Sequence, residues 1–238
     1  MTLLVITGTG TEVGKTVATA AVASLALAAG KRVAVVKPAQ TGVRPGEPGD
    51  VDEVVRLAGE LTAVELSRYT DALSPEAAAR RSGLSPIRPA KAADAAAELE
   101  GSHDVVLVEG AGGLLVRFDH TGGTLADLAW ALGAPVLLVA AAGLGTLNTT
   151  ALTSEALRHR GIECLGVVVG SWPEQPDLAT RSNLLDLPVA ARAPLLGVLP
   201  SGLGKYERED FVRTARARLA PQLGGEFDPV AFAERNAP

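Results

Sequence analysis

Short, unbroken apolar runs rich in Val and Leu alternate along the chain with longer stretches of helical periodicity. The runs predict strands at 3–7, 32–37, 104–108, 135–140, 165–169 and 195–199, and the stretches between them predict helices at 15–29, 51–58, 90–99, 124–132, 148–160 and 178–185. Gly30, Gly133 and Gly161 fall where helix C-caps belong. Runs this continuous suit strands covered on both faces, so the alternation predicts an α/β fold: a doubly wound, mostly parallel sheet with helices on both sides. Three segments carry no clear period: the Pro/Gly-rich loop 42–49, the stretch 61–89 and the tail after Pro200. With no internal repeat and no shift of composition, the chain reads as one domain spanning 1–238, with 203–238 a tail of unassigned structure.

Composition narrows the function. In 238 residues, 47% are hydrophobic, enough for a sizeable core, and only 3% are aromatic, so Ala, Val and Leu must pack it. A net charge of -5 supplies no polybasic field for nucleic acid or anionic lipid. The one cysteine, Cys164, excludes an internal disulfide and a cysteine-paired zinc site, and it reads as a small core residue. The apolar stretch 17–29 is shorter than the roughly 20 residues of a bilayer span. The N-terminus also shows no secretory pattern, so the expected location is the cytoplasm. His103, His120 and His159 share no metal spacing and read as solvated, whereas Trp130 and Trp172 read as core or interface residues.

Chemistry enters directly after the first run, at Gly8-Thr-Gly-Thr-Glu-Val-Gly-Lys-Thr16. A strand, a glycine-rich loop and a helix start in this order form a phosphate cradle. Backbone N–H groups converge where no Cβ intrudes, the helix dipole favours the anion, Lys15 adds charge and the Thr16 hydroxyl can reach Mg²⁺. The strict pattern would place Gly at position 9, where this chain has Thr, so the loop is a variant. A nucleoside triphosphate is implied, and with it a fold of P-loop NTPase type.

Only 5 of the 22 basic residues are lysines, and one of them, Lys37, ends the second strand on the side of the phosphate loop. It is either a solvated cap or a second cation for the same anion. Glu109 ends the third strand ahead of Gly110-Ala-Gly-Gly113, where a carboxylate can serve Mg²⁺. Asp50 and Asp52 precede an apolar helical run, which suits an N-cap as well as a metal ligand. The segment Gly143-Leu-Gly-Thr-Leu-Asn148 opens another helix. Its free N–H groups could take a substrate carboxylate, or Thr146 or Asn148 could simply cap it.

Taken together, residues 7–16, Lys37-Pro-Ala-Gln-Thr-Gly42, Val108-Glu-Gly-Ala-Gly-Gly113, the 143–148 segment and Leu196-Gly-Val-Leu-Pro200 resemble the ATP-dependent dethiobiotin synthase family, in family order up to about Gly202. The resemblance implies a homodimeric cyclo-ligase of biotin biosynthesis that uses Mg²⁺. It would close the ureido ring of dethiobiotin from 7,8-diaminononanoate, CO₂ and ATP through a carbamate and its mixed anhydride with phosphate. It also implies roles for residues. Lys37, Lys15 and Thr11 would be catalytic, and Thr16, Asp50 and Glu109 would surround Mg²⁺. Glu12, Val13, Gly14, Lys15, Thr16 and Val17, with Glu109, Gly110, Ala111 and Gly112, would hold the nucleotide. Gly170, Ser171, Pro200, Ser201 and Gly202 would lie around its base. Thr41 would contact the diamine, and Leu144, Gly145, Thr146, Leu147 and Asn148, donated by the partner subunit, would take its carboxylate.

Two positions depart from the family pattern. Thr41 stands where Ser is frequent, and Gly170-Ser171 replaces an Asn-Asp turn that reads adenine. Loss of that amide predicts that other nucleoside triphosphates substitute in part for ATP. Two rival readings share the ATPase half. A cobyrinate-type amidoligase normally carries an added glutaminase domain, for which the chain is short. A partition-type ATPase switch should show a basic surface or a terminal anchor, and the charge balance gives neither.

Overall fold

The computed structural model describes residues 2–236 and 238. In chain order the strands are β1 (Leu3–Gly8), β2 (Val33–Lys37), β3 (Gln40–Thr41), β4 (Thr62–Glu65), β5 (Arg68–Tyr69), β6 (Val105–Gly113), β7 (Val136–Ala140), β8 (Cys164–Trp172) and β9 (Leu195–Pro200). The helices are α1 (Lys15–Ala28), α2 (Asp50–Ala58), α3 (Pro75–Ser82), α4 (Pro89–Glu100), α5 (Leu125–Leu132), α6 (Thr146–His159), α7 (Leu178–Ala191), α8 (Arg208–Arg218) and α9 (Pro229–Asn236). Seven strands form one sheet in the order β4-β2-β6-β1-β7-β8-β9, and every pairing in it is parallel. β3 and β5 pair separately as a two-stranded parallel ribbon.

Alternation along each strand decides which helices it meets. Leu4 and Ile6 of β1 and Val33 and Val35 of β2 face one layer, packed against α1, α2 and α8. Leu3 and Val5, with Ala34 and Val36, face the other, which holds α4 and α5. Both faces of β1 and β2 are therefore buried, which is why their sequences read as unbroken apolar runs. On α1 the small residues Ala18, Ala20, Ala21 and Ala23 are fully buried and let the helix lie close over the sheet. Gly30, Gly133 and Gly161 adopt φ of 74°, 57° and 67°, the left-handed conformation expected at helix ends.

The six predicted strands and six predicted helices are all present, with altered ends. α6 begins at Thr146 and not at Asn148. α7 continues past Leu185 to Ala191, through Pro188, because Leu184, Leu187 and Ala191 carry its buried face onward. The stretch 61–89, left without structure above, supplies the edge strand β4, β5 and α3. Edge strand β4 is only partly buried, so its sequence carries no continuous apolar run. Trp172 is buried, but Trp130 is 68% exposed and is no core residue. Burial raises the Cys164 thiol to about 11, so it is an inert packing residue, as its sequence context suggested. His103 is not a freely solvated side chain: its Nε2 lies 2.8 Å from Thr62 Oγ1 at the start of β4. Among the described residues, no helix is long and apolar enough to cross a membrane.

The C-terminal segment folds back over the phosphate-loop helix. α8 packs on α1, and Phe211, Ala215 and Leu219 are fully buried in the same cluster as Leu4 and Ile6. Ala220 N donates to Leu196 O at 2.8 Å, anchoring the segment to β9. Phe211→Ala is expected to lower unfolding free energy by about 3–5 kcal/mol, the cost of emptying a fully buried aromatic site. Urea denaturation followed by circular dichroism measures it, and a loss below about 1 kcal/mol would mean the segment is dispensable.

Candidate active site

The carboxyl ends of β1, β2 and β6 meet at one edge of the sheet, and a cavity of about 630 Å³ opens there. β1 delivers the loop 8–14 into it. The loop is tightly specified: a Cβ on Gly8 would lie 2.7 Å from Val13 Cγ2, and Gly14 takes φ 94° as the N-cap of α1. No side chain caps α1, so its first N–H groups are free to meet an anion. Glu12 holds a left-handed φ of 59°, an unusual state for a residue with a side chain and one associated with functional loops. Lys15 Nζ donates to Gly10 O at 2.8 Å and so ties the loop across its own mouth. Burial lowers the Lys15 pKa, and the nearby Lys37 lowers it further. The negative charge of an arriving anion would oppose both.

Lys37 lies at the centre of the site. Its ammonium is 3% exposed and donates to Glu109 Oε1 at 2.8 Å and to Gly110 O at 3.2 Å, while Asp50 Oδ2 stands 2.5 Å away. Burial alone would drive the proton off, but Glu109 and Asp50 outweigh it and hold the pKa above the ordinary lysine value. A raised pKa means this pairing stabilises the fold at all pH values below the ordinary 10.5 and is lost as pH climbs through the raised value. Lys37 is therefore a charged group aimed into the cavity, and the solvated-cap alternative fails.

Glu109 shows what else the site accommodates. Its Oε1 accepts from both Lys37 and Thr16 Oγ1, the latter at 2.9 Å, whereas its Oε2 is buried with no partner. A buried carboxylate oxygen left free beside a hydroxyl and a second carboxylate fits a hard cation. No cluster of three or more His, Cys, Asp or Glu suited to a metal occurs among the described residues. Asp50 and Asp52 are placed differently. Neither is the N-cap, which is Gly49. Asp52 Oδ2 accepts from Gly49 N at 2.7 Å, turned back onto the helix start, whereas Asp50 lines the cavity.

Two comparisons place this arrangement. A family model described as an AAA domain matches residues 2–203. The ATP-dependent dethiobiotin synthetase BioD of Streptomyces avermitilis is 62% identical over 238 residues, covering 100% of both chains. That of Saccharopolyspora erythraea is 66% identical over 227 residues, covering 95% of this chain and 99% of that one. The chain belongs to the ATP-dependent dethiobiotin synthetase family. A solved structure of septum site-determining protein MinD from Pyrococcus horikoshii, complexed with Mg-ADP, matches with a TM-score of 0.55 at 17% identity, covering 98% of this chain and 95% of that chain. That likeness shows the P-loop NTPase fold alone.

The cavity brings together Thr11, Glu12, Gly14, Lys15, Thr16, Val17, Lys37, Thr41, Asp50, Glu109, Ala111 and Gly112 from among the residues singled out in the sequence. Several other expected residues stand apart from it. Val13 turns into the core beside the loop. Gly110 does not line the cavity; a Cβ there would lie 2.3 Å from Leu125 Cδ2, so its place is beside that side chain. The 144–148 segment does not line this chain's own cavity either. Gly145, at φ 91°, is the N-cap of α6, so neither Thr146 nor Asn148 caps it. Thr146 is instead buried with an unpaired hydroxyl, and Leu144 is 93% exposed.

Gly170, Ser171, Pro200, Ser201 and Gly202 form a separate lip where β8 and β9 end. Ser171 Oγ and Ser201 Oγ are 2.8 Å apart, and Ser201 N donates to Trp172 O. Gly170 lies back to back with the phosphate loop: a Cβ on it would sit 2.0 Å from Val13 O, and one on Gly14 would sit 2.5 Å from Gly170 O. Its first task is therefore close backbone approach. Sequence reasoning missed Gln40, Ala39 and Val116, and also the 72–75 turn that closes the cavity. Only the Ser74-Pro75 pair, an N-cap followed by proline at the start of α3, signalled that turn. Gly170→Ala is expected to displace the loop and weaken nucleotide binding at least about tenfold, as for other close-approach glycines at phosphate sites. Calorimetric titration with ADP checks this, and unchanged affinity would remove the back-to-back constraint.

Proposed function

We propose that this chain forms dethiobiotin from 7,8-diaminononanoate, CO₂ and ATP, releasing ADP and phosphate. The observation that carries the reading is the buried Lys37 ammonium, held charged between Glu109 and Asp50 at the mouth of a phosphate loop. Full-length relatives named for this activity support it.

In the proposed sequence, a substrate amine adds to CO₂, forming an N–C bond and giving up a proton to yield a carbamate. A carbamate oxygen attacks the γ-phosphorus, and the bond to the ADP oxygen breaks. The second amine then attacks the carbamoyl carbon, closing the ring as phosphate leaves and the amine proton is lost. Negative charge accumulates on oxygen at each transfer, so positioning and fixed cations do most of the work. Lys15 and Lys37 hold the carbamate and the γ-phosphate oxygens, and Thr11 and Thr41 contact the diamine or its carbamate. Glu12 closes the loop over phosphate. Thr16, Asp50 and Glu109 hold Mg²⁺, which supplies charge neutralisation at the phosphoryl oxygens when bound.

The diamine's distal carboxylate is assigned to the start of α6, at Leu144, Gly145, Thr146, Leu147 and Asn148, from a partner subunit in a homodimer. The uncapped helix start and its exposure, with Leu144 and Leu152 projecting outward, support that assignment. The expected partners are small molecules and a second copy of the chain, with neither nucleic acid nor membrane, and the expected location is the cytoplasm.

Incubation with the diamine, labelled bicarbonate and MgATP should yield a labelled cyclic urea; without it, this reading fails. Lys37→Gln should lower ring formation by about 10²–10³-fold or more, because the fixed charge is lost while the size is roughly kept. Circular dichroism and nucleotide titration of that variant separate lost chemistry from a lost site, and normal turnover would exclude Lys37. Gly170 offers the base no side-chain amide, so a panel of nucleoside triphosphates should show partial replacement of ATP by others. A strict ATP requirement would contradict this.

A further inference from the structure

Asp50 sits in the first turn of α2, where a cavity residue and groups behind it surround the helix start. Asp50 N donates to Gln40 Oε1 at 2.8 Å, and below this contact lies Arg68. Arg68 Nε and Nη2 grip Glu65 Oε1 and Oε2 at 2.6 and 2.7 Å. Its Nη1 reaches in the other direction, donating to the carbonyls of Arg44 and Glu47 at 3.1 and 2.5 Å, in the loop that leads into α2. Asp52, which accepts from Gly49 N, is 3.8 Å from Nη2. One guanidinium thus joins the end of an edge strand to the loop ahead of the helix, a task suited to its planar fork and its several donors.

Strand register places these groups. Lys37 pairs with Glu65 between β2 and β4, and Gln40 pairs with Arg68 between β3 and β5. The strand that carries the central lysine therefore lies beside the one that carries Arg68's partner, and the ribbon mounts both Gln40 and Arg68 under the start of α2. Gly49 fits this platform without spare room: a Cβ there would lie 2.9 Å from Arg68 Nη2 and 3.0 Å from both Gln40 Oε1 and Glu65 Oε2. Its φ of -102° is open to any residue, so a methyl group there would act on the platform by pushing aside these three side-chain ends.

We propose that Arg68 is a positioning residue for the metal side of the site: clamped to Glu65 and to the 44–47 carbonyls, it sets the start of α2 so that the Asp50 carboxylate meets the cavity. Arg68 does not itself line the cavity. The proposal rests on the reading of Asp50 as a Mg²⁺ ligand. It implies that loosening the platform raises the Mg²⁺ requirement and leaves the phosphate-loop contacts to the nucleotide unchanged.

The test uses the full chain with Arg68→Gln, Gly49→Ala and, as a reference, Asp50→Asn. ADP binding is titrated calorimetrically at stepped Mg²⁺ and again in EDTA, and Mn²⁺ binding to the nucleotide complex is followed by electron paramagnetic resonance. Thermal unfolding identifies folded variants. If Arg68→Gln does not fold, Gly49→Ala disturbs the same platform from the other side and carries the test. The Mg²⁺ concentration for half-saturation should rise about 10–100-fold in Arg68→Gln and Gly49→Ala, the usual effect of removing a residue that orients a metal ligand, while affinity in EDTA changes by less than about twofold. Arg68→Lys should not restore it, because a point charge cannot fork onto Glu65 and also reach two carbonyls. An unchanged Mg²⁺ requirement in a folded platform variant, with a raised one in Asp50→Asn, would overturn the role of Arg68. So would full rescue by lysine, or an equal loss of affinity in EDTA. No effect in Asp50→Asn would overturn the metal-ligand reading itself, and this proposal with it.

Discussion

A buried ammonium between two carboxylates sets the terms for the rest of this molecule. Lys37 is enclosed almost completely, and such a charge persists only when paired and hydrogen-bonded, which Glu109, Asp50 and the Gly110 carbonyl accomplish. Each partner comes from a different element: the lysine from the end of β2, the glutamate from β6 and the aspartate from the first turn of α2. The site therefore exists only when β2 and β6 are paired in register and α2 is docked. Folding and site assembly are one event here. The arrangement also holds the charges apart in opposite senses: Lys37 is held protonated by its partners, whereas Lys15, with its pKa lowered, has the more to gain from an incoming phosphate.

Close approach of backbone is the second constraint. Gly14 and Gly170 press the phosphate loop against the end of β8 with no room for a Cβ on either, and Gly110 admits the Leu125 side chain behind Glu109. Gly14 and Gly170 lie far apart in sequence, yet together they bring rigid main chain close to where an anion can bind.

Most of the sheet and the heart of the site were legible in the residues. β1, β2, β6, β7, β8 and β9 are buried on both faces, so each left a continuous apolar signature, and Gly8 to Thr16 combine strand end, glycine loop and helix start in a contiguous stretch. The elements that escaped, β4, β5, α3 and the terminal helices, are partly exposed or short, and they are stabilised by partners far away in sequence. Phe211 and Leu219 of the C-terminal segment are fully buried against α1, but nothing local announces that contact. By residue type alone Asp50 and Asp52 were equal candidates, and the family resemblance pointed to Asp50. The structure separates them by contact: Asp52 turns back to the Gly49 N–H, and Asp50 faces Lys37.

The sequence by itself determined the layer architecture, the strand edge at which chemistry occurs and the residue types gathered there, because periodicity, glycine placement and a strand-loop-helix motif are local properties of the chain. Tertiary structure alone decided the state of charge of Lys37, the free oxygen of Glu109, the place of Asp50 beside Lys37 and the platform of Gln40, Glu65 and Arg68 beneath it. Those depend on burial and on contacts between residues far apart along the chain, and burial is a property of the folded whole that no window of sequence contains.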